Sequence, residues 1–482
     1  MVKTFFISTA IDYPSSRPHL GHLYEKITAD IIARWKRSEG YKVHFSTGLD
    51  CHGSKIEKYS EKAGKKPEEY VKEMGIYFLR LCKDYNISYD NFIKTIEDRH
   101  KKVVKELIIK VSKKGDIYKS EYFGYYCSDC ETYYSKEELN NGNCPTHNKP
   151  AELLKEESYF FRMSKYQNKL IEYIKKNPNF IRPEKNKNEI LSRLNEPLND
   201  LSLTRLKVKW GIPFPLDNKF ITAIWIEALI NYLSTIDYPN KKYKEFWPAL
   251  HIIGRDITWH HSVIWGTFLM SLGIKLPEIY VHGFIKSSSG EKMSKSLGNV
   301  IDPLELIKKY SSDSVRYFLA REIPFGQDGD FSEESLKNRI NNELANELGN
   351  LVNRTLNLSK RLKEIKKHPL ELKFNIKNIE KLMHDYKITE ALNEIWRFVQ
   401  DTNKYINQKE PWKLEGKELE SVLYNCLESI RRISILLWPF IPTTCERINK
   451  LLDIKEQNLL TFDKAILSYK PKEPVILFQK IK

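Results

Sequence analysis

The sequence predicts an α/β protein: a parallel-sheet core split by an insert and closed by an all-α helical bundle. Two observations carry this expectation. Four β-rich runs, KTFFISTAI (3–11), KVHFSTGL (42–49), LHIIGRD (250–256) and IYVHGFI (279–285), are interleaved with stretches of helical periodicity, and strands alternating with helices build parallel sheets. From about residue 335 the strand signals stop, and NNELANELGNLVNRTLNLSKRLKEI, ITEALNEIWRFVQDTNKYINQ and LESVLYNCLESIRRISILLWPFI are amphipathic helical stretches. The first part therefore reads as a Rossmann-type sheet and the last as a bundle.

Taken in order, the first strand leads into LGHLYEKITADIIARWKRSEG, a helical pattern ending at Gly40 as a helix C-terminus should. The first two strands are separated from the last two by residues 50–249, so a segment is inserted between two halves of one sheet. It begins near Asp116 and returns near WGIPFP (210–215), where paired prolines mark a boundary. Within it, Cys127, Cys130, Cys144 and His147 form a C-x2-C-x13-C-x2-H pattern. Three thiolates and one imidazole make a closed tetrahedral zinc site with no open position, which implies one structural zinc per chain. No internal repeat of 20–50 residues is present.

Length and charge narrow the class. A chain of 482 residues exceeds one compact core, so two or three domains are expected. No run of about 18 apolar residues occurs, and the start MVKTFFISTAIDYP lacks the parts of a signal peptide. A cytoplasmic protein without membrane contact is expected. A balance of 79 Lys and Arg against 63 Asp and Glu, net +16, favours polyanionic partners, although lysine is abundant throughout and charge alone leaves nucleic acid open.

Chemistry gathers at the strand ends. His19 and His22 bracket Gly21 in PHLGH at the opening of the first helix, where a helix N-terminus favours anions and a glycine admits a ring or phosphate to the backbone. GLDCHG follows the second strand, GRDITWHH the third, and GEKMSKSLGN follows EIYVHGFI. Ligands of such sheets sit at the carboxyl ends of the strands, so one site collects all four.

Together HLGH and KMSKS resemble the two signature motifs of class I aminoacyl-tRNA synthetases. STAIDYPSSRPHLGH, TGLDCHGSKI, WIEALINYLS, HIIGRDITWHHSVIWGTFL and REIPFGQDGDFSEESL extend the resemblance over nearly the whole chain to methionyl-tRNA synthetases with a single zinc and a short insert. That resemblance implies activation of methionine by ATP to methionyl-adenylate, Mg2+ accompanying the ATP, and transfer to the 3'-terminal adenosine of tRNA(Met). Carried over by position, His19, His22, Lys292 and Lys295 are the catalytic groups, with Gly21, Met293, Ser294 and Ser296 completing the ATP contacts. Methionine would meet Ala10, Ile11, Tyr13, Asp50, Trp225, Tyr232, Asp256 and His261. An aromatic, polarizable wall suits an unbranched thioether, to which Tyr13 and His261 are expected to donate. Asn350, Arg354 and Trp412 match the residues that read the CAU anticodon by edge hydrogen bonds and stacking.

Three positions depart from the family's usual residues: Cys51 stands where Glu is common, His260 where an aromatic or proline is, and Glu227 where Asp is. The resemblance divides the chain into catalytic halves at 1–115 and 216–288, the insert at 116–215, a KMSKS loop and stem-contact region at 289–335, and an anticodon-binding bundle at 336–482. A synthetase for leucine, isoleucine or valine would call for editing, and this insert is small for an editing domain. A cysteinyl enzyme would need zinc in the amino-acid pocket, and a non-catalytic tRNA-binding protein would not need both ATP motifs. No strand-rich dimerisation segment follows the bundle, so a monomer is expected.

Overall fold

The computed structural model describes residues 2–127, 132–134, 136, 138–145, 148–287, 301–455, 458–470 and 472–481. At its centre lies a six-stranded sheet whose neighbouring strands all pair parallel. Its order is β3 (Asn91–Lys94), β2 (Lys42–Leu49), β1 (Thr4–Thr9), then Ala249–Gly254, Glu278–His282 and Ile181–Arg182. Phe6 is in register with Ala249, so the two halves separated in sequence meet at the middle of the sheet. The four expected strands are the central four. Both edge strands escaped the sequence reading because two to four residues are too few to display a period, and Ile181–Arg182 reaches the sheet from within 116–215.

Ala249–Gly254 is buried throughout, as a strand covered on both faces must be. β2 and β3 approach closely at Gly48, where a Cβ would stand 2.1 Å from the Ile93 carbonyl oxygen. Helix α1 (Leu20–Ser38) follows β1, is almost wholly buried, and stops before Gly40, whose φ of 83° only glycine adopts readily. The insert forms an antiparallel four-stranded sheet in the order Thr132–Tyr134, Ile117–Cys127, Glu152–Phe161, Leu201–Ser202.

Between residues 333 and 452 the described residues are mainly helical, interrupted by the non-helical stretch 360–376, with long amphipathic helices at Ile388–Lys409 and Gly416–Leu437; a two-stranded ladder pairs Ile365–Lys366 with Ser468–Tyr469. One continuous apolar core runs from Ile7 and Leu23 in the sheet region to Trp396 and Leu436 in the bundle. Across this join Arg316, fully buried, donates to Asp30 on α1 (2.7 Å), to the carbonyls of Pro439 (2.8 Å) and Phe440 (3.0 Å), and to that of Tyr85 (3.0 Å). Burial pushes the Asp30 carboxyl up, but Arg34 and Arg316 outweigh it and hold the group at about 2. The helix that opens at the histidines is thereby anchored to the bundle.

Candidate active site

Both histidines of HLGH use the same nitrogen on the backbone. His19 is the N-cap of α1: its Nδ1 accepts from the Gly21 N–H (3.1 Å), while His22 Nδ1 accepts from the His19 N–H (3.0 Å). A neutral imidazole that accepts at Nδ1 carries its proton on Nε2, so each ring presents an Nε2–H donor. The rings lie 3.8 Å apart. Gly21 is required by this packing, because a Cβ there would stand 2.9 Å from His19 Cε1; the close-approaching ring is the protein's own.

The histidines border a cavity of about 340 Å³ at the carboxyl ends of β1, Ala249–Gly254 and Glu278–His282. Of the residues expected from sequence, Ala10, Ile11, Tyr13, His19, Gly21, His22 and Asp256 line it. Asp12, Glu25 and His282 line it as well and were missed. The His282 Nε2–Glu25 Oε2 distance is 3.0 Å, and His282 Nδ1 donates to the Gly283 carbonyl (2.8 Å). Burial pulls the His282 pKa down, yet the Glu25 carboxylate offsets this and holds the imidazole above its ordinary range. Asp12 pairs with buried Lys26 at 2.5 Å. The available signal was helical spacing: Glu25 follows His22 by three and Lys26 by four, which puts all three on one face.

Asp50, Trp225, Tyr232 and His261 do not belong to that lining. Asp50 sits beside it, its N–H bonded to the Asp12 carbonyl (2.8 Å). The other three form an aromatic block. Trp225 stacks on His260 at 3.6 Å, and Tyr232 stacks on His251 at 3.9 Å. The Tyr232 hydroxyl lies 2.7 Å from His261 Nε2, and His261 Nδ1 lies 3.0 Å from the Ile257 carbonyl. A carbonyl only accepts, so His261 Nδ1 carries the proton and Nε2 accepts from Tyr232. Burial lowers the His261 pKa to about 4, which keeps it neutral. The expected donation from His261 to a thioether is thus corrected: its one proton is committed to Ile257. Trp225 and Tyr232 lie on two successive short helices, Ile224–Leu229 and Asn231–Ser234.

A family model described as tRNA synthetases class I (M) matches residues 5–152 and 137–356, and one for the anticodon-binding domain of tRNA ligase matches 371–477. The methionine–tRNA ligase of Caldanaerobacter subterraneus subsp. tengcongensis is 42% identical over 478 residues, covering 95% of this chain and 75% of that protein. That of Clostridium tetani is 43% identical over 484 residues, with 96% and 75% covered. The chain belongs to the methionyl-tRNA synthetase family. Among solved structures, the Mycobacterium tuberculosis methionyl-tRNA synthetase in complex with methionyl-adenylate superposes with a TM-score of 0.94 at 35% identity, covering 99% of this chain and 100% of that one. The apo form of the same enzyme gives 0.87 at 32% identity, over 100% and 99%.

In this synthetase the expected anticodon residues gather on the bundle. Asn350 is exposed at the start of helix Asn350–Ser359, and Arg354, one turn on, donates to Asn407 Oδ1 (2.7 Å) with its guanidinium 4.7 Å from the Trp412 ring centre. Trp412 is 43% exposed on a turn (Pro411–Lys413) braced by Arg361, which donates to the carbonyls of Pro411 (3.0 Å) and Leu414 (2.8 Å). In the insert, Cys127 and Cys144 are buried, and Cys144 sits in a tight turn where its N–H bonds the Lys149 carbonyl (2.8 Å) and its carbonyl accepts from Asn148 (2.8 Å). Cys130 and His147 lie outside the described residues, as do Lys292, Met293, Ser294, Lys295 and Ser296. Among the described residues no three His, Cys, Asp or Glu side chains are grouped to hold a metal, and no helix is long and apolar enough to cross a membrane.

Proposed function

We infer that the protein activates L-methionine with ATP to methionyl-adenylate and esterifies the 3'-terminal adenosine of tRNA(Met). The observation that carries this reading is the pair of Nε2–H donors of His19 and His22 at the rim of a cleft placed where mononucleotide-binding sheets hold their ligand. Family membership and the likeness to an adenylate complex support it.

The amino-acid carboxylate attacks the α-phosphorus and pyrophosphate leaves, so no protein nucleophile is required. His19 and His22 donate to phosphate oxygens, and Lys292 and Lys295 face the charge that builds on the departing group. Gly21, Met293, Ser294 and Ser296 shape the two loops around the nucleotide. Mg2+, when bound with ATP, neutralises phosphate charge. Ala10, Ile11 and Tyr13 form the near wall for methionine, Asp50 and Asp256 answer its ammonium and the ribose, and Trp225, Tyr232 and His261 form the deeper aromatic wall. Asn350, Arg354 and Trp412 read the anticodon. Cys127, Cys130, Cys144 and His147 suit a structural zinc by donor chemistry, in a monomer of the cytoplasm whose domains follow the boundaries read from the sequence, save that Ile181–Arg182 of the insert joins the central sheet.

Pyrophosphate exchange with methionine, leucine and cysteine tests the assignment, with methionine alone expected to support it. Lys295→Ala is expected to cut adenylate formation by orders of magnitude with methionine affinity nearly unchanged; near-normal exchange in that variant overturns the role. Elemental analysis of protein purified without chelator is expected to find one zinc per chain, and finding none removes the metal.

A further inference from the structure

We propose that the buried His52–Glu227 pair is a positioning device for the amino-acid pocket, locking the loop that carries Asp50 to the helix that carries Trp225 and so setting methionine affinity without touching the substrate. The inference rests on the reading that Asp50 and Trp225 serve methionine.

His52 lies two residues beyond Asp50, after β2, and Glu227 two residues beyond Trp225 on helix Ile224–Leu229. His52 Nδ1 and Glu227 Oε1 are directly hydrogen-bonded, with side chains 3% and 0% exposed. The same loop is laced to a third segment: Trp210 Nε1 donates to the Cys51 carbonyl (2.6 Å), the Gly53 N–H to the Trp210 carbonyl (3.0 Å), and the indole meets the His52 ring edge-on at 5.3 Å. Thr95 Oγ1 accepts from the Cys51 N–H (2.9 Å). Four separate stretches of chain are thus registered around one imidazole.

The pair is a poor device for stability alone. Glu227 Oε2 is buried with no hydrogen-bond partner among the described residues, as is Thr222 Oγ1, and both residues line one small cavity with His52 and Arg205. Burying a half-satisfied carboxylate costs free energy that an apolar residue of similar volume would not. What it supplies is register, since removal of either partner lets the loop and the helix shift independently. Trp225 is carried on that helix and moves with it against the His260 ring, on which it stacks at 3.6 Å.

The test measures methionine-dependent pyrophosphate exchange and equilibrium methionine binding by tryptophan fluorescence. Glu227→Ala and His52→Ala are expected to raise the methionine KM tenfold or more, with the ATP KM within twofold and kcat within threefold of the parent. Glu227→Gln, which keeps the acceptor oxygen, and His52→Asn, which keeps a donor near the Nδ1 position, are expected to restore KM to within threefold. Methionine KM within twofold of the parent in both alanine variants overturns the proposal, as does parallel loss of kcat and ATP affinity, or a rise that neither conservative variant repairs. Trp225→Ala separates the two levels: no change in its methionine KM sinks the pocket reading itself, whereas a rise there without one in Glu227→Ala sinks only the pair.

Discussion

Each imidazole of HLGH has two nitrogens and uses them for different ends. Nδ1 of His19 and of His22 satisfies backbone N–H groups at the start of α1, where a helix leaves donors unpaired, and this fixes the proton on Nε2. With the role proposed for these rings, capping and phosphate binding are one arrangement. The two can be separated by His19→Asn, because asparagine is a good N-cap whose carbonyl oxygen replaces Nδ1 but which has nothing at Nε2. Exchange activity is expected to fall about 10²- to 10³-fold, the usual loss for one transition-state donor, while the urea midpoint stays near that of the parent. A large loss of stability with little loss of activity would show that the cap is the residue's main task.

At the scale of elements, the segment after Gly254 departs from regular helix. His260–Ile264 is a π-helical turn in which the Trp265 N–H reaches the His260 carbonyl, a geometry frequent at functional sites. It stacks His260 on Trp225 and holds buried His261 against Tyr232. Burial lowers the pKa of His44, His100 and His260 to about 3 and of His261 to about 4, and that of His251 well below its ordinary value. Unfolded, each titrates near 6.5. The folded state is thus fully favoured above pH 6.5 and loses up to about 1.4 kcal/mol per pH unit for each such group as the pH falls toward 4. The urea midpoint is expected to drop steeply between pH 6.5 and 4.5, and His260→Phe to flatten that slope. A midpoint flat across this range would mean that these rings are solvated.

Over the whole molecule, α1 joins the cleft to the bundle. Its first turn lies at the cleft, and Asp30, near its middle, meets Arg316, which also grips the carbonyls of Pro439 and Phe440 in the bundle. The residues proposed to read the anticodon stand on that same bundle, with Arg354 over Trp412. Trp412→Ala removes a stacking surface worth about 1–3 kcal/mol per base, so the charging efficiency kcat/KM for tRNA is expected to fall roughly five- to 150-fold. Exchange without tRNA is expected to stay within twofold, since Trp412 stands on a turn of the bundle and is not among the residues that line the cleft. Equal loss in both assays would count against an anticodon role.

The sequence by itself determined the central strands, the helical third of the chain, and the local motifs, because strand and helix periods, glycine stops and short-range ligand spacing are properties of neighbouring residues. It placed His19, His22, Ala10, Ile11, Tyr13 and Asp256 at strand ends, and the structure brings all of them to one cleft. Only the tertiary structure decided the edge strands, the Glu25–His282 pair and the fate of the His261 proton. Those depend on which groups from distant segments become neighbours once water is excluded: His282 meets Glu25 across 257 positions of chain, and His261 loses its donor role to a carbonyl and a hydroxyl that no local pattern announces.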